Sequence, residues 1–287
     1  MAFIEVVSVS KSYANEDRQR HVLDRVTLSV DRGEFVSIVG FMGCGKSTLL
    51  NVIAGLTMPD AGHVCFDGAP ATSVRPDAAI VFQNYSLLPW FSSLENVRLA
   101  VAAAFPQWPR ARQISQARHY LETVSLGNAL GRRPGQLSGG MRQRVAIARA
   151  FATEPQVLFL DEPFGALDAL TRANLQQELA RLCSTAGRPV TTIMITNSVE
   201  EALLLSDRIV PMTRGPGATL GLPVAVDIPK PRSLSRLLHD EQAIRARAHV
   251  VESLTTSVES ARRVSPESGG QAVAGPRVVV TPSRSEA

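Results

Sequence analysis

The sequence predicts an α/β fold with a mainly parallel sheet, and three observations lead to that prediction. An apolar run at residues 34–39 (EFVSIV) is followed by a glycine-rich loop and then by an apolar run of helical character at residues 49–54. Further apolar runs of strand length end in polar residues, at 78–82, 156–160, 190–195 and 208–212. Continuous apolar runs are typical of strands buried on both faces, as in parallel sheets.

The composition fits a globular chain with one large or two small domains. Hydrophobic residues make up 45% of the 287 positions, which is enough for a core. The net charge of +4 is spread along the chain, so it does not indicate nucleic-acid binding, although it suits a site near an anionic membrane surface. Cys44, Cys65 and Cys183 have neither metal-binding nor disulfide spacing, which favours a reducing cytosol. No signal segment and no apolar run of membrane-spanning length is found, so we expect any membrane role to depend on a partner.

Residues 40–48 (GFMGCGKST) match the phosphate-loop pattern G-x-x-x-x-G-K-[ST]. Glycines let backbone N–H groups point at phosphate oxygens, and the following helix N-terminus adds a partial positive charge. Lys46 would reach the β- and γ-phosphates of ATP, and the Ser47 hydroxyl would ligate Mg²⁺. A ligand-free turn is the alternative, but a lysine and a hydroxyl in register argue against it. The predicted phosphate-binding residues are Gly40, Gly43, Cys44, Gly45, Lys46, Ser47 and Thr48.

Three short strands are predicted around this loop, at residues 3–9, 26–30 and 62–68. Tyr13 comes just after the first of them, and a polar, charged loop follows it. An aromatic ring at that place can stack on adenine. An ordinary tyrosine at the rim of the protein is the alternative.

The strand at residues 78–82 ends at Gln83, where α/β sheets bind ligands. Gln83 would contact Mg²⁺ or an attacking water, and a simple strand cap is the alternative. The next segment, residues 87–91 (LLPWF), is strongly apolar. It is either a core loop or an exposed docking patch, since tryptophan and phenylalanine are favoured at the centres of interfaces.

A helical insert is predicted between two strands of the core, with helices beginning at residue 93 and spanning residues 113–124. It is followed by a second glycine motif. Ser138 is placed to cap the helix at residues 141–151, and Gly139 and Gly140 would expose its first N–H groups. A capped helix without a ligand is the alternative. Two anion sites in one chain suggest a phosphate group held from both sides.

Two adjacent carboxylates, Asp161 and Glu162, follow the strand at residues 156–160. Carboxylates at the tip of a buried strand are costly unless they are used. Asp161 would hold Mg²⁺ through water, and Glu162 would act as general base on a water molecule. A helix is predicted at residues 171–183. Beyond the strand at 190–195, Ser198 and Glu201 have the spacing of a capping box.

In this order the motifs resemble those of the ATP-binding cassette (ABC) ATPases. The resemblance rests on the phosphate loop, Gln83, residues 137–140 (LSGG), the two carboxylates and residues 166–168 (ALD), and it covers about residues 2–232. It implies a P-loop NTPase core with a mainly parallel sheet, an antiparallel β subdomain and a helical insert subdomain at about residues 88–137. Within the family, the sequence resembles the ATPase subunits of the nitrate, sulfonate and taurine importers. It resembles the nitrate, nitrite and cyanate members most.

The resemblance also implies partners. Two ATPase subunits, identical or different, would pair head to tail, with ATP and Mg²⁺ between the phosphate loop of one and Ser138, Gly139 and Gly140 of the other. Transmembrane permease subunits would dock at Gln83 and residues 88–90, supplied by a periplasmic or lipid-anchored substrate-binding protein. The chain would then lie on the cytoplasmic face of the bacterial inner membrane.

Asn197 departs from the family, which generally has a histidine there that contacts the γ-phosphate. Asparagine donates a hydrogen bond but carries no charge, so a low-activity or regulatory subunit is a second function class. A cassette ATPase of DNA repair or translation is a third, but a single phosphate loop, a single signature and a short insert disfavour it. Residues 233–259 are expected to form a helical extension and residues 260–287 a disordered tail.

Overall fold

A computed structural model of the chain describes residues 2–15, 18–165, 167–184 and 189–264. The strands are β1 Ile4–Asn15, β2 Arg18–Val30, β3 Phe35–Val39, β4 Ala61–Phe66, β5 Ala69–Pro70, β6 Ala78–Val81, β7 Val157–Asp161, β8 Thr191–Thr196, β9 Arg208–Pro211 and β10 Val224–Ala225. The helices are α1 Lys46–Ile53, α2 Ser93–Ala104, α3 Arg110–Thr123, α4 Gly139–Phe151, α5 Ala169–Ser184, α6 Val199–Leu205, α7 Leu234–Leu237 and α8 Glu241–Val264.

The central sheet has the order β10-β9-β3-β8-β7-β6, and all its neighbouring strands are parallel except β10 and β9. It is buried on both faces, which confirms the interpretation of the apolar runs. In β3, Val36 and Ile38 pack in the cluster that contains the antiparallel sheet and α1. Phe35 and Val39 point to the other face and pack in the cluster that contains α2 to α6.

The second sheet is antiparallel, with the order β2-β1-β4-β5. Its β1–β2 hairpin is longer than the sequence predicted, since Tyr13 pairs with Arg20 within the ladder. The prediction that Tyr13 follows a strand and precedes a polar loop is therefore wrong. The polar run continues as strand because a hairpin can expose one face to water and still keep its backbone hydrogen bonds.

The helical insert lies between β6 and β7, where the sequence predicted it. Helices α2 and α3 pack on α4 through buried side chains that include Val97, Val101 and Leu121. The start of α2 is fixed by a capping box in which Ser92 and Glu95 exchange hydrogen bonds.

The segment after the cassette forms α7 and α8, and α8 packs on α6, β9 and β10 through Ala243 and Val250. Helix α8 continues to Val264, so residues 260–264 are helical although they were assigned to the tail. The rest of the predicted tail lies outside the described residues. Within the described ranges, no helix combines the length and the apolar character needed to cross a membrane.

The parallel register brings the ends of three strands to one edge of the sheet. Val39 pairs with Thr196, and Asp161 pairs with Ile195. The phosphate loop, the two carboxylates and Asn197 therefore follow neighbouring strand ends. This carboxyl edge is where open α/β sheets bind ligands.

Candidate functional site

A cleft of about 620 Å³ opens between the phosphate loop and the β1–β2 hairpin. Its walls bring together residues from the hairpin, the loop, the segment after β6 and the segment after β7. Its lining residues are Tyr13, Ala14, Arg20, Val22, Met42, Gly43, Gly45, Lys46, Ser47, Thr48, Gln83 and Glu162.

The phosphate loop holds the Lys46 ammonium group in a fixed place. The side chain is only 4% exposed, and its Nζ donates to the carbonyl oxygens of Gly40 and Phe41, at 3.0 Å each. Gly45 caps α1 in the left-handed region, with φ 109°, and a Cβ there would lie 2.8 Å from Val22. Only glycine combines this backbone with such close packing.

Cys44 contributes to the loop from inside the protein. Its N–H donates to the Phe41 carbonyl oxygen over a long 3.3 Å, and its side chain is buried. Burial raises the pKa of the Cys44 thiol, and the nearby Lys46 ammonium only partly opposes this. The thiol is therefore a packing group, and the residue can face a phosphate only through its backbone.

Lys46, Ser47, Gln83 and both predicted carboxylates meet beside this loop. Ser47 Oγ donates to Asp161 Oδ1 at 3.2 Å. Lys46 Nζ lies 3.5 Å from Glu162 Oε1, and Gln83 Nε2 donates to Glu162 Oε2 at 3.3 Å. Burial raises the pKa of the Asp161 carboxyl, the charge of Glu162 raises it further, and Ser47 and Lys46 oppose the shift.

The backbone of Glu162 is strained. Its φ is +42°, a left-handed conformation that non-glycine residues rarely adopt, and its N–H donates to the Ile195 carbonyl oxygen at 3.0 Å. Strain of this kind costs about 1–3 kcal/mol and persists where the surrounding structure enforces it, often at functional sites. Here strand β8 enforces the position of the carboxylate.

These residues fit a nucleotide with a magnesium ion. The buried Lys46 ammonium and the unpaired first-turn N–H groups of α1 suit phosphate oxygens. Ser47 and Asp161 offer adjacent oxygen atoms, which Mg²⁺ prefers. Within the described ranges, no group of three or more His, Cys, Asp or Glu side chains is placed to hold a metal.

Two β2 residues that line the cleft were missed by the sequence analysis, Arg20 and Val22. Both lie in β2 and line the same cleft as Tyr13, whose ring is 42% exposed. They were assigned to a loop. The alternation at Val26, Leu28 and Val30, with the apolar pair Val22 and Leu23 before it, was the signal that could have extended the strand to them.

The second glycine motif begins helix α4, as predicted. Ser138 Oγ accepts from the N–H of Met141 at 3.2 Å. Gly140 packs so tightly on Thr171 of α5 that an added Cβ would be closer to the Thr171 methyl than real Cβ atoms approach. Ser138, Gly139 and Gly140 are absent from the cleft lining among the described residues, so within one chain the two anion sites remain apart.

Asn197 follows β8 and is exposed, but it does not line the cleft among the described residues.

The capping box predicted for Ser198 and Glu201 is half wrong. Ser198 Oγ accepts from the Glu201 N–H at 3.2 Å, but the Glu201 carboxylate turns inward and accepts from Thr196 Oγ1 at 2.6 Å. Burial raises the pKa of the Glu201 carboxyl, and the nearby Arg172 opposes this. These two bonds tie both neighbours of Asn197, Thr196 and Ser198, to Glu201 in α6.

The apolar segment after Gln83 is exposed to solvent at Trp90, whose exposed fraction is 62%. The ring makes an edge contact with Phe91, with 6.3 Å between centroids. Of the two interpretations from sequence, this placement favours the docking patch.

Comparison with known proteins agrees with this geometry. The family model described as ABC transporter matches residues 23–165. The nitrate import ATP-binding protein NrtD of Synechococcus elongatus is 45% identical over 252 residues, 88% of this chain and 91% of that protein. The chain belongs to the ABC transporter family.

Two further similarities define its relation to the family. The bicarbonate transport ATP-binding protein CmpC of Synechococcus elongatus is 45% identical over 250 residues, but the chain spans only 37% of its length. A dimeric structure of the ATP-binding cassette MJ0796 in a post-hydrolysis state, bound to ADP and Pi, superposes with a TM-score of 0.69 at 30% identity. The superposition covers 78% of this chain and 99% of the MJ0796 chain. Family and site together support ATP binding and hydrolysis.

The contact between α4 and α5 yields a stability prediction. Gly140→Ala should lower the free energy of unfolding by about 1–3 kcal/mol, as overpacking does. Chemical denaturation measures this change. Thr171→Ser in the same chain removes the clashing methyl and should restore most of the loss. Gly135→Ala is the control, since a Cβ there meets nothing within 4 Å. Equal effects at Gly135 and Gly140 would contradict the packing account.

Proposed function

We propose that this chain is the ATP-hydrolysing subunit of a bacterial ABC importer that takes up a small anion. The observation that carries the proposal is the 45% identity with NrtD along nearly the full length of both chains. Nitrate and bicarbonate, named in the two relatives, are small planar oxyanions. Nitrite and cyanate are anions of similar size. Sulfonates, including taurine, are the alternative substrates in a broader reading of the proposal.

Each side chain at the site has a chemical role in this mechanism. Glu162 accepts a proton from the attacking water, and Gln83 and Lys46 orient its carboxylate through the contacts at 3.3 and 3.5 Å. Lys46 stabilises charge on the phosphate oxygens. Mg²⁺, held by Ser47 and Asp161 with Gln83 nearby, would neutralise phosphate charge when bound. Tyr13 offers a ring face to the base.

A second ATPase subunit completes the site in this proposal. Ser138, Gly139 and Gly140 form an anion site that does not line the cleft of their own chain. They can contact a nucleotide phosphate in the cleft of a head-to-tail partner, with which the dimeric structure of MJ0796 is consistent. The partner is a second copy or a different ATPase.

The exposed Trp90 supports a docking site for permease subunits in this proposal. Permease subunits would dock at Gln83 and residues 88–90 and place the chain peripherally on the cytoplasmic face of the inner membrane. A periplasmic or lipid-anchored binding protein would deliver the anion to them. Closure on ATP and reopening after hydrolysis would bias the permease between two states.

Uptake by cells tests this function. Cells that lack this chain should lose uptake of labelled nitrate or of labelled bicarbonate, and the wild-type chain should restore it. Lys46→Ala should not, because the phosphate-binding ammonium is gone. Uptake of nitrate, bicarbonate and taurine that all survive loss of the chain would refute the proposal. Loss of taurine uptake alone would move the substrate to the sulfonates.

Asn197 supports a second candidate, a subunit of low activity paired with a more active ATPase. Its amide is uncharged, and it stands where the family has a histidine. A charge-assisted hydrogen bond contributes roughly 1.5–3 kcal/mol. Since about 1.4 kcal/mol of barrier is tenfold in rate, the missing charge would slow turnover about 10- to 100-fold.

The purified chain tests this candidate directly. Asn197→His should raise steady-state ATP hydrolysis by about 10- to 100-fold if the site is handicapped. Asn197→Ala serves as control and should not gain. If Asn197→His brings no gain in turnover, asparagine is sufficient at this position. Asn197 then gives no reason to infer a dimer with a different ATPase.

A further inference from the structure

Residues 83–92, here called the Trp90 turn, run from the cleft to the exposed tryptophan and are held at three points. The first is Gln83, whose amide contacts Glu162 at 3.3 Å. The other two are helix side chains, Arg149 of α4 and Asn96 of α2. No motif from the sequence pointed to either of them.

Arg149 holds the middle of the Trp90 turn. Its guanidinium donates to two successive carbonyl oxygens, those of Tyr85 and Ser86. Both residues have left-handed backbone, with φ of 64° and 45°. Two non-glycine residues in this conformation are strained and need external support. Arg142, two turns earlier on the same face of α4, lies 5.5 Å from the centroid of the Tyr85 ring.

Arg149 is well placed to transmit force. Burial lowers the pKa of its guanidinium, but arginine stays charged at neutral pH, and a charged donor to carbonyl oxygens makes a strong hydrogen bond. Its planar fork meets two acceptors at once, which a lysine ammonium cannot reproduce in the same geometry.

Asn96 holds the outer half of the turn. The residue is only 2% exposed, and both the oxygen and the nitrogen of its side-chain amide form hydrogen bonds. Oδ1 accepts from the Leu88 N–H at 2.8 Å, and Nδ2 donates to the carbonyl oxygens of Leu88, Phe91 and Ser92 at 3.0–3.2 Å. The backbone around Trp90 is therefore fixed, although the tryptophan ring is exposed.

Helix α4 joins these contacts to the second anion site. It begins at the Ser138 cap, and Arg149 lies in its last turn. Arg149 is nine positions after Gly140 in the helix, about 14 Å along the axis. A displacement of the N-terminal end of α4 must then move the guanidinium, and with it the carbonyl oxygens it holds.

We propose that Arg149 is a positioning residue that ties the Trp90 turn to helix α4, with Asn96 as the second clamp. Movement of α4 on nucleotide binding then reaches the exposed Trp90 through these contacts. The inference rests on the proposed function for the docking role of Trp90. The link between α4 and the turn is a property of the chain alone.

The test uses Trp90 as its own probe. The sequence has two tryptophans, so Trp108→Phe leaves Trp90 as the only one. In this background, acrylamide quenching of Trp90 is measured with and without Mg-ATP. We expect a clear ATP-dependent change. Arg149→Lys should reduce that change at least severalfold and lower the fluorescence anisotropy of Trp90, while ATP affinity stays unchanged.

The matched control is Arg144→Lys on the same helix. Arg144 contacts the Val124 carbonyl oxygen and Glu178, away from the turn. A purely structural role for Arg149 would make both variants alike in stability and in the Trp90 signal. Equal signals in the two variants, or a wild-type Trp90 signal that ignores ATP, would overturn the inference.

Hydrogen exchange in the wild-type chain is the second measurement, needed if Arg149→Lys fails to fold. Mg-ATP should change exchange at residues 84–91 together with residues 139–142. A change at 139–142 alone would overturn the link.

Trp90→Ala separates this inference from the proposed function. If Trp90→Ala leaves anion uptake intact but the Arg149→Lys signal changes as expected, the link stands and the docking role fails. If Trp90→Ala abolishes uptake and the Arg149→Lys signal equals that of Arg144→Lys, docking stands and the link fails. Leu222→Ala is the control for loss of an exposed apolar side chain, since Leu222 is 80% exposed and lies outside the turn.

Discussion

A buried ammonium group, that of Lys46, is the constraint on which the rest of the site depends. Removing a charge from water is costly unless charged and polar partners replace the solvent. Two loop carbonyl oxygens and the Glu162 carboxylate do so here. The curled backbone of the phosphate loop places the two carbonyl oxygens, and the strained backbone of Glu162 places the carboxylate. The same cation then attracts a phosphate group into the cleft.

The parallel sheet turns this local constraint into a site. Strands β3, β7 and β8 end at one edge, so the loop, the carboxylates and Asn197 share that edge of the sheet although they are far apart in sequence. Helix α4, on which the helical insert packs, has a first turn that does not line the cleft and a last turn that binds the Trp90 turn. Cleft and exposed tryptophan are thus parts of one hydrogen-bonded framework.

Much of this could be predicted from sequence because the chemistry is local. The phosphate loop, the Ser138 cap and the apolar runs each need only neighbouring residues. The hairpin length was missed because a solvent-facing ladder tolerates polar residues, which hid Arg20 and Val22. Glu201 was misassigned because its carboxylate bonds Thr196 instead of the helix cap. Arg149 and Asn96 could not be found, because their partners are backbone atoms, which no residue type reveals. Those of Arg149 also lie more than sixty residues away in sequence.

Paired measurements of ATP binding and ATP turnover in Glu162→Gln test the central claim most directly. If Lys46 binds phosphate and Glu162 serves as base, Glu162→Gln keeps ATP affinity while turnover falls by about 10²–10⁴-fold. Lys46→Ala, measured beside it, loses affinity itself. Hydrolysis by Glu162→Gln at the wild-type rate would contradict the account.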